Sequence, residues 1–301
     1  MFHWMKKMIT GASGNVAVIV TLAMVAMLGA TALVTDVGSA YMAKDKLLNA
    51  LDAGALAGVE NIFQGQSAAT AAAVSFVNTN GESVDQVVVN TTADTVDLYR
   101  TIRIPLAFAK VLGFSNVTYQ AHVQATAGTL VSGTGFVPLG VQEQTFTYGQ
   151  EYTLSASAGE GEDGNYGYLA LGGNGACVFG QNLMYGYSGV LHVGDQVDTE
   201  PGVMAGPVAN AINYRLQSSG SCSFATATEN CPRVMLLPII SSGAENGRSL
   251  VTIVGFAAFY LDGLQGNGGH QEIVGRFMQM VVPGTVGQGM NFGLYGVKLT
   301  Q

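Results

Sequence analysis

The pattern of apolar and polar positions divides the chain into three stretches. No charged residue occurs from Met8 to Thr35. Within that run, 15–34 is apolar almost throughout and supplies about 20 residues, or roughly 30 Å of helix, the thickness of a bilayer's hydrocarbon core. Asp36 ends it, because a carboxylate at the bilayer centre costs about 3 kcal/mol. Lys6 and Lys7 precede the span, and Trp4 suits the interface. The positive-inside rule then puts the N-terminus in the cytoplasm and the remainder outside. Ala30-Thr31-Ala32 fits a small-x-small cleavage pattern, but the apolar run is too long for the core of a signal peptide.

The helical period continues past the span. Tyr41, Leu48, Ala55 and Ile62 recur every seven residues, with Leu51 and Val59 between them. This predicts an apolar stripe on a proline-free helix running to about Phe63. A second helix is predicted over 67–78, rich in Ala and ended by Gly81. It is the favoured cover for the stripe, since short connections give antiparallel neighbours; the other cover is a second subunit. Period-two patterns predict strands over 84–90, 95–104 and 117–126, with Pro105 opening a short helix over 106–112. His122 falls on the third strand, with no His, Cys or carboxylate at metal-ligand spacing, and reads as an exposed strand histidine.

From 134 onward the texture changes. Eleven of the 41 glycines lie before residue 134 and thirty after it. Apolar runs at 151–155, 166–171, 190–193, 234–240, 250–261 and 272–282 read as strands between Gly, Asn and Ser clusters. One helix is expected from Gly206-Pro207 to Leu216. Six or so strands with one helix predict a compact β domain, of barrel or sandwich type. The fold class is therefore α+β. The expected order is a cytoplasmic N-terminus (1–14), a transmembrane helix (15–35), a helical stalk with a small ββαβ unit (36–133), and a Gly-rich, mainly-β exterior domain (134–301).

Three groups of residues carry a resemblance. They are Gly14-Asn15-Val16-Ala17-Val18-Ile19; Leu33-Val34-Thr35-Asp36-Val37-Gly38-Ser39-Ala40-Tyr41; and Lys46-Leu47-Leu48-Asn49-Ala50-Leu51-Asp52-Ala53-Gly54-Ala55-Leu56-Ala57-Gly58. Together they resemble the TadE/TadG-like N-terminal region of the tight-adherence (Flp-type IV) pilus machinery. The departures are Lys44, one place out of step, and Leu51 where the family usually has alanine. The likeness covers about 11–65, and more loosely 84–130 and the block from Val193 to Pro207. It implies a single-pass envelope protein acting in pilus assembly or adhesion, with the bilayer, other pilus-assembly proteins or like subunits as partners. The von Willebrand A module of some TadG proteins is not expected, because its D-x-S-x-S motif is missing. A processed pilin needs Glu five residues after the cleaved Gly; Gly14 is followed there by Ile19 and Gly11 by Val16.

Charge and candidate chemistry narrow the classes further. The net charge is −8 with twelve Lys and Arg, too few for the basic face that nucleic acid requires. Gly159-Glu160-Gly161-Glu162-Asp163-Gly164 matches a dinucleotide fingerprint by letter, but its three carboxylates would repel a pyrophosphate, and it lacks EF-hand spacing for Ca²⁺. Gly186-Tyr187-Ser188-Gly189 lacks the last glycine of a nucleophile elbow, and His192 near Asp195 specifies no nucleophile. No catalytic, cofactor-binding or metal-binding residue is assigned, so the expectation is a non-enzymatic protein; an anchored hydrolase and a filament subunit are the alternatives. Export permits disulfides. Cys222 and Cys231 bracket eight residues and are expected to pair, since closing a short loop costs the least entropy. Cys177 is left over.

Overall fold

The computed structural model describes residues 13–155, 166–200, 204–241, 249–267 and 270–300. Trp4, Lys6, Lys7 and the acidic loop at 159–164 lie outside these. In chain order the helices are α1 (Ser13–Glu60), α2 (Gln66–Thr79), α3 (Ala176–Tyr185) and α4 (Ala205–Gln217). The strands are β1 (Val88–Thr91), β2 (Thr95–Pro105), β3 (Asn116–Gly133), β4 (Leu139–Gln142), β5 (Glu151–Ser155), β6 (Tyr166–Tyr168), β7 (Leu191–His192), β8 (Gln196–Asp198), β9 (Val234–Ile240), β10 (Leu250–Asn267), β11 (His270–Met278), β12 (Met280–Val281), β13 (Thr285–Val286) and β14 (Leu294–Thr300). The fold is α+β: a long apolar N-terminal helix, mixed helix and strand, then a part made mainly of sheet.

The helix α1 runs unbroken for 48 residues through two environments. From Val16 to Thr35 it buries nothing; only Ala32 is even half covered. The hydroxyls of Thr21, Thr31 and Thr35 donate to the carbonyls of Ala17, Met27 and Thr31 at 2.8–2.9 Å. Each hydroxyl is thus satisfied within the helix, as a lipid-facing segment requires. Burial starts in earnest at Leu47. There Leu47, Leu51, Ala55, Val59 and Ile62 meet Ala69, Ala73 and Val77 of α2, and Val96, Leu98, Ala121, Val123, Ala125 and Ala127 of β2 and β3. Leu47 and Leu51 are fully buried and contribute about 2 kcal/mol each. The expected stripe is present from Leu48, but Tyr41 is exposed. The cover comes from the same chain: α2 on one side and a sheet on the other.

Glycine lets these elements approach closely. A Cβ on Gly54 would lie 2.6 Å from the Val77 side chain and 2.9 Å from the Ala73 carbonyl. One on Gly58 would lie 3.0 Å from Val96. The small-residue run of the resemblance is therefore the contact face for α2 and β2.

Two seven-stranded sheets follow. The first has the order β1-β2-β3-β14-β12, with β7 and β13 also on β3; the second has β5-β11-β10-β9-β4-β6, with β8 on β10. Strand β3 pairs β2 along its first part and β14 along its second, from Gln124↔Thr300 to Thr129↔Tyr295. The chain thus crosses back over residue 133, and β14 completes the N-terminal sheet. One face of the second sheet packs on Phe179, Leu183, Val208 and Ile212 of α3 and α4. Its other face, with Ile253, Phe256, Ala258 and Tyr260, meets Leu130, Met280 and Leu294 of the first sheet. The layers run α1/α2, sheet, sheet, α3/α4.

Several expectations need correction. Pro105 ends β2 instead of opening a helix, and only a single tight turn, Ala109–Leu112, forms after it. The first strand starts at Val88, because Val87 turns back to donate to the Val84 carbonyl. Among the described residues the C-terminal part carries two helices, not one. Helix α3 is not legible in the local pattern because glycines crowd both ends of its ten residues.

Replacing Gly54 with Leu should cost about 3 kcal/mol by overpacking. Gly38→Ala, where an added Cβ meets nothing within 4 Å, should instead stabilise by up to about 1 kcal/mol. Thermal unfolding of the two full-length variants in detergent checks both; equal melting temperatures would contradict the close approach at Gly54.

Candidate functional site

Asp36 is the first charge after the apolar run and it is 4% exposed. Its carboxylate does not face solvent. It accepts hydrogen bonds from three consecutive backbone amides in the loop between β2 and β3: Ala107 to Oδ1 at 2.7 Å, Ala109 to Oδ2 at 2.7 Å, and Phe108 to both at 3.2 and 3.0 Å. These are the amides at the start of the expected helix, groups that a helix leaves without an internal partner, and here they are aimed at a carboxylate more than 70 residues earlier. A two-oxygen acceptor suits three converging N–H groups, and charge makes each bond stronger. Burial pushes the Asp36 pKa up, but the amides of Ala109, Ala107 and Phe108, helped by the Lys110 charge, outweigh it and hold the group below the ordinary carboxylate range. The sequence shows Asp36 only as the end of the span; its partners lie too far along the chain for local pattern to reveal them.

Further along α1, Asp52 has a side-chain oxygen buried without a hydrogen-bond partner, and burial raises its pKa. Beyond the end of α1 lies a cleft of about 680 Å³, lined by Phe63, Tyr148, Met280 and Val282 and carrying Glu60 and Glu229. Burial first, and the Glu229 charge second, push the Glu60 carboxyl up. Both glutamates are exposed.

The residues singled out in the sequence fall apart in space. His122 stacks on Tyr99 across the β2–β3 pair, with ring centroids 4.2 Å apart, and places Nε2 2.9 Å from Asp97 Oδ1 on the open face of the sheet. His192 and Asp195 share a turn in which the His192 amide donates to the Asp195 carboxylate. Gly186 ends α3, so the tetrapeptide 186–189 leaves a helix, whereas a nucleophile elbow enters one. Among the described residues no three His, Cys, Asp or Glu side chains converge as a metal-ligand set. Cys222 and Cys231 are bonded, with Cα atoms 6.2 Å apart, while Cys177 is an exposed free thiol. Tyr260 donates to the Cys222 carbonyl at 3.0 Å, pinning the loop to β10. Nearby, the buried Arg215 donates to the carbonyls of Leu183, Pro232 and Val234. Burial pushes its pKa down to about 10.

Residues 14–75 match the family of putative Flp pilus-assembly TadE/G-like proteins. No curated protein and no solved structure matches the chain. The TadE/G-like region comprises the apolar span, Asp36, the Gly54 and Gly58 contact face, the turn at Ile62–Gln64 and most of α2. It supports a pilus-associated role, and the single apolar helix suggests single-pass anchoring in a membrane.

The clamp and the disulfide can each be tested. Asp36→Asn keeps the shape but loses the charge, so the amides of 107–109 should exchange with deuterium faster than in the parent; unchanged protection would remove the clamp. Because the folded-state pKa is lowered, the clamp contributes fully above the ordinary carboxylate range. It is lost as pH falls through the lowered value, so acid should open the loop in the parent but not further in the variant. Non-reducing peptide mapping should recover a linked Cys222/Cys231 fragment and an alkylatable Cys177. Cys222→Ser should lose about 2–3 kcal/mol of stability, as expected for so short a loop.

Proposed function

We propose that this protein is a single-pass envelope protein with a non-enzymatic role in Flp, or tight-adherence, pilus assembly or surface adhesion. The observation that carries the reading is the TadE/G-like match over 14–75 on a helix whose first part is bare and apolar while its second part is built into a folded body. Lys6 and Lys7 before the span favour a cytoplasmic N-terminus and an exterior body. The Cys222–Cys231 pair suits that compartment.

The filament alternative calls for a long open stripe on α1 where like helices can stack. Here the stripe beyond Leu47 is occupied by α2 and the first sheet, which leaves about a bilayer's length of bare helix. The hydrolase alternative calls for several carboxylates around one pocket with an activated nucleophile. The cleft near Glu60 offers two exposed glutamates among apolar and amide neighbours, a lining better suited to binding than to catalysis.

The experiment is deletion of the gene, with surface pili and attachment to a solid surface scored against a complemented strain. Loss of either trait, restored by the full chain, is expected. Normal piliation and attachment in the deletion strain would overturn the role. In the complemented strain, protease added after removal of any outer layer should digest the 36–301 body; full protection would reverse the proposed orientation.

A further inference from the structure

The loop clamped by Asp36 presents its apolar side chains outward. Phe108 is 50% exposed, Phe114 66% and Val111 89%, with Lys110 exposed among them. A soluble surface has no use for two phenylalanines and a valine clustered in one nine-residue loop. Their position explains them. The clamp fixes the amides of 107–109 to Asp36, and Asp36 follows Thr35, the last residue of the uncharged run, by one helical step of about 1.5 Å. The loop is therefore held beside α1 at the level where the helix leaves the apolar span. At the same level α1 itself exposes Val37 and Tyr41.

We propose that loop 106–114 is a second membrane contact. Phe108, Val111 and Phe114 enter the headgroup–acyl boundary of the leaflet that faces the folded body, and Lys110 reaches lipid phosphate. The partner is the bilayer itself, because the loop surface is continuous with the span. Aromatic and branched side chains beside a basic residue are the composition of interfacial anchors, and a lysine can keep its charge among headgroups while its stem lies along apolar surface. The proposal rests on the reading of 16–35 as a membrane span. Its consequence is orientation: a single helix leaves the body free to tilt, whereas a helix plus a clamped loop gives two points of attachment.

The test uses the full chain with Cys177→Ser, reconstituted in vesicles of phosphatidylcholine and phosphatidylglycerol. A nitroxide is attached in turn at Val111→Cys, at Thr101→Cys on the open sheet face, and at Leu28→Cys within the span. Collision rates with oxygen and with a water-soluble nickel chelate are read by electron paramagnetic resonance. The 111 label should resemble the 28 label, favouring oxygen over nickel, while the 101 label favours nickel. If the 111 label matches the 101 label while the 28 label stays shielded, the loop contact is overturned and the span survives. If the 28 label is itself open to nickel, the span reading fails and the proposal falls with it.

Discussion

A carboxylate bonded by three amides holds the junction between two solvents. Helix α1 is bare and apolar over its first part, as a membrane span would be, and packs into a protein core over its second, and nothing in an unbroken helix marks where one regime ends. Asp36 marks it twice. As a charge it resists entry into hydrocarbon, and as an acceptor it is bound to a loop from a distant hairpin. The same group therefore ties the end of the bare apolar segment to the folded body. Between Asp36 and Leu47 the helix is held to the body otherwise by Lys44 over the Tyr119 ring and by Lys46 at Gly81 and Glu82.

Beyond the junction, stability comes from close packing of small residues. Gly54, Ala55, Gly58 and Ala73 let α1 and α2 lie close together on the sheet. Ala121, Ala125 and Ala127 give that sheet a shallow surface against the helices. Such a face tolerates little change in volume, which gives a physical reason for the Ala- and Gly-rich signature after Asp36. The second sheet is built differently. It relies on large side chains: Phe256 and Phe259 lie on opposite faces of β10, and Phe277 of β11 joins Phe259.

Local pattern served well where structure is local. The span, α2, α4 and the strands at 151–155 and 234–240 follow from periodicity and from Pro or Gly punctuation. The pairing of Cys222 and Cys231 follows from loop length. Pattern failed where a distant partner decides. The loop after Pro105 has helical composition, yet only one tight turn, Ala109–Leu112, forms there, and local pattern does not show that its first amides serve Asp36. Helix α3 hides between glycines that serve its termini. β14 is a short run that follows Gly293 and contains Gly296, and its place in the first sheet depends on the free edge of β3. The clamp was half legible: Asp36 is prominent in the sequence, but its role requires three amides that carry no side-chain signal.

The insertion of β14 between β3 and β12 has a consequence for the order of events in synthesis. β3 is made early, yet the residues that pair its second part, such as Thr300 with Gln124, emerge only after the whole second sheet. Until then β3 shows an unpaired edge, the kind of surface on which chains join one another by mistake. Contacts so distant in sequence are also slow to form. The first sheet, which packs on the TadE/G-like helices, thus waits for its last strand. The final strand acts as a latch: its docking closes the first sheet between β3 and β12, so a chain stopped before β14 leaves that edge open.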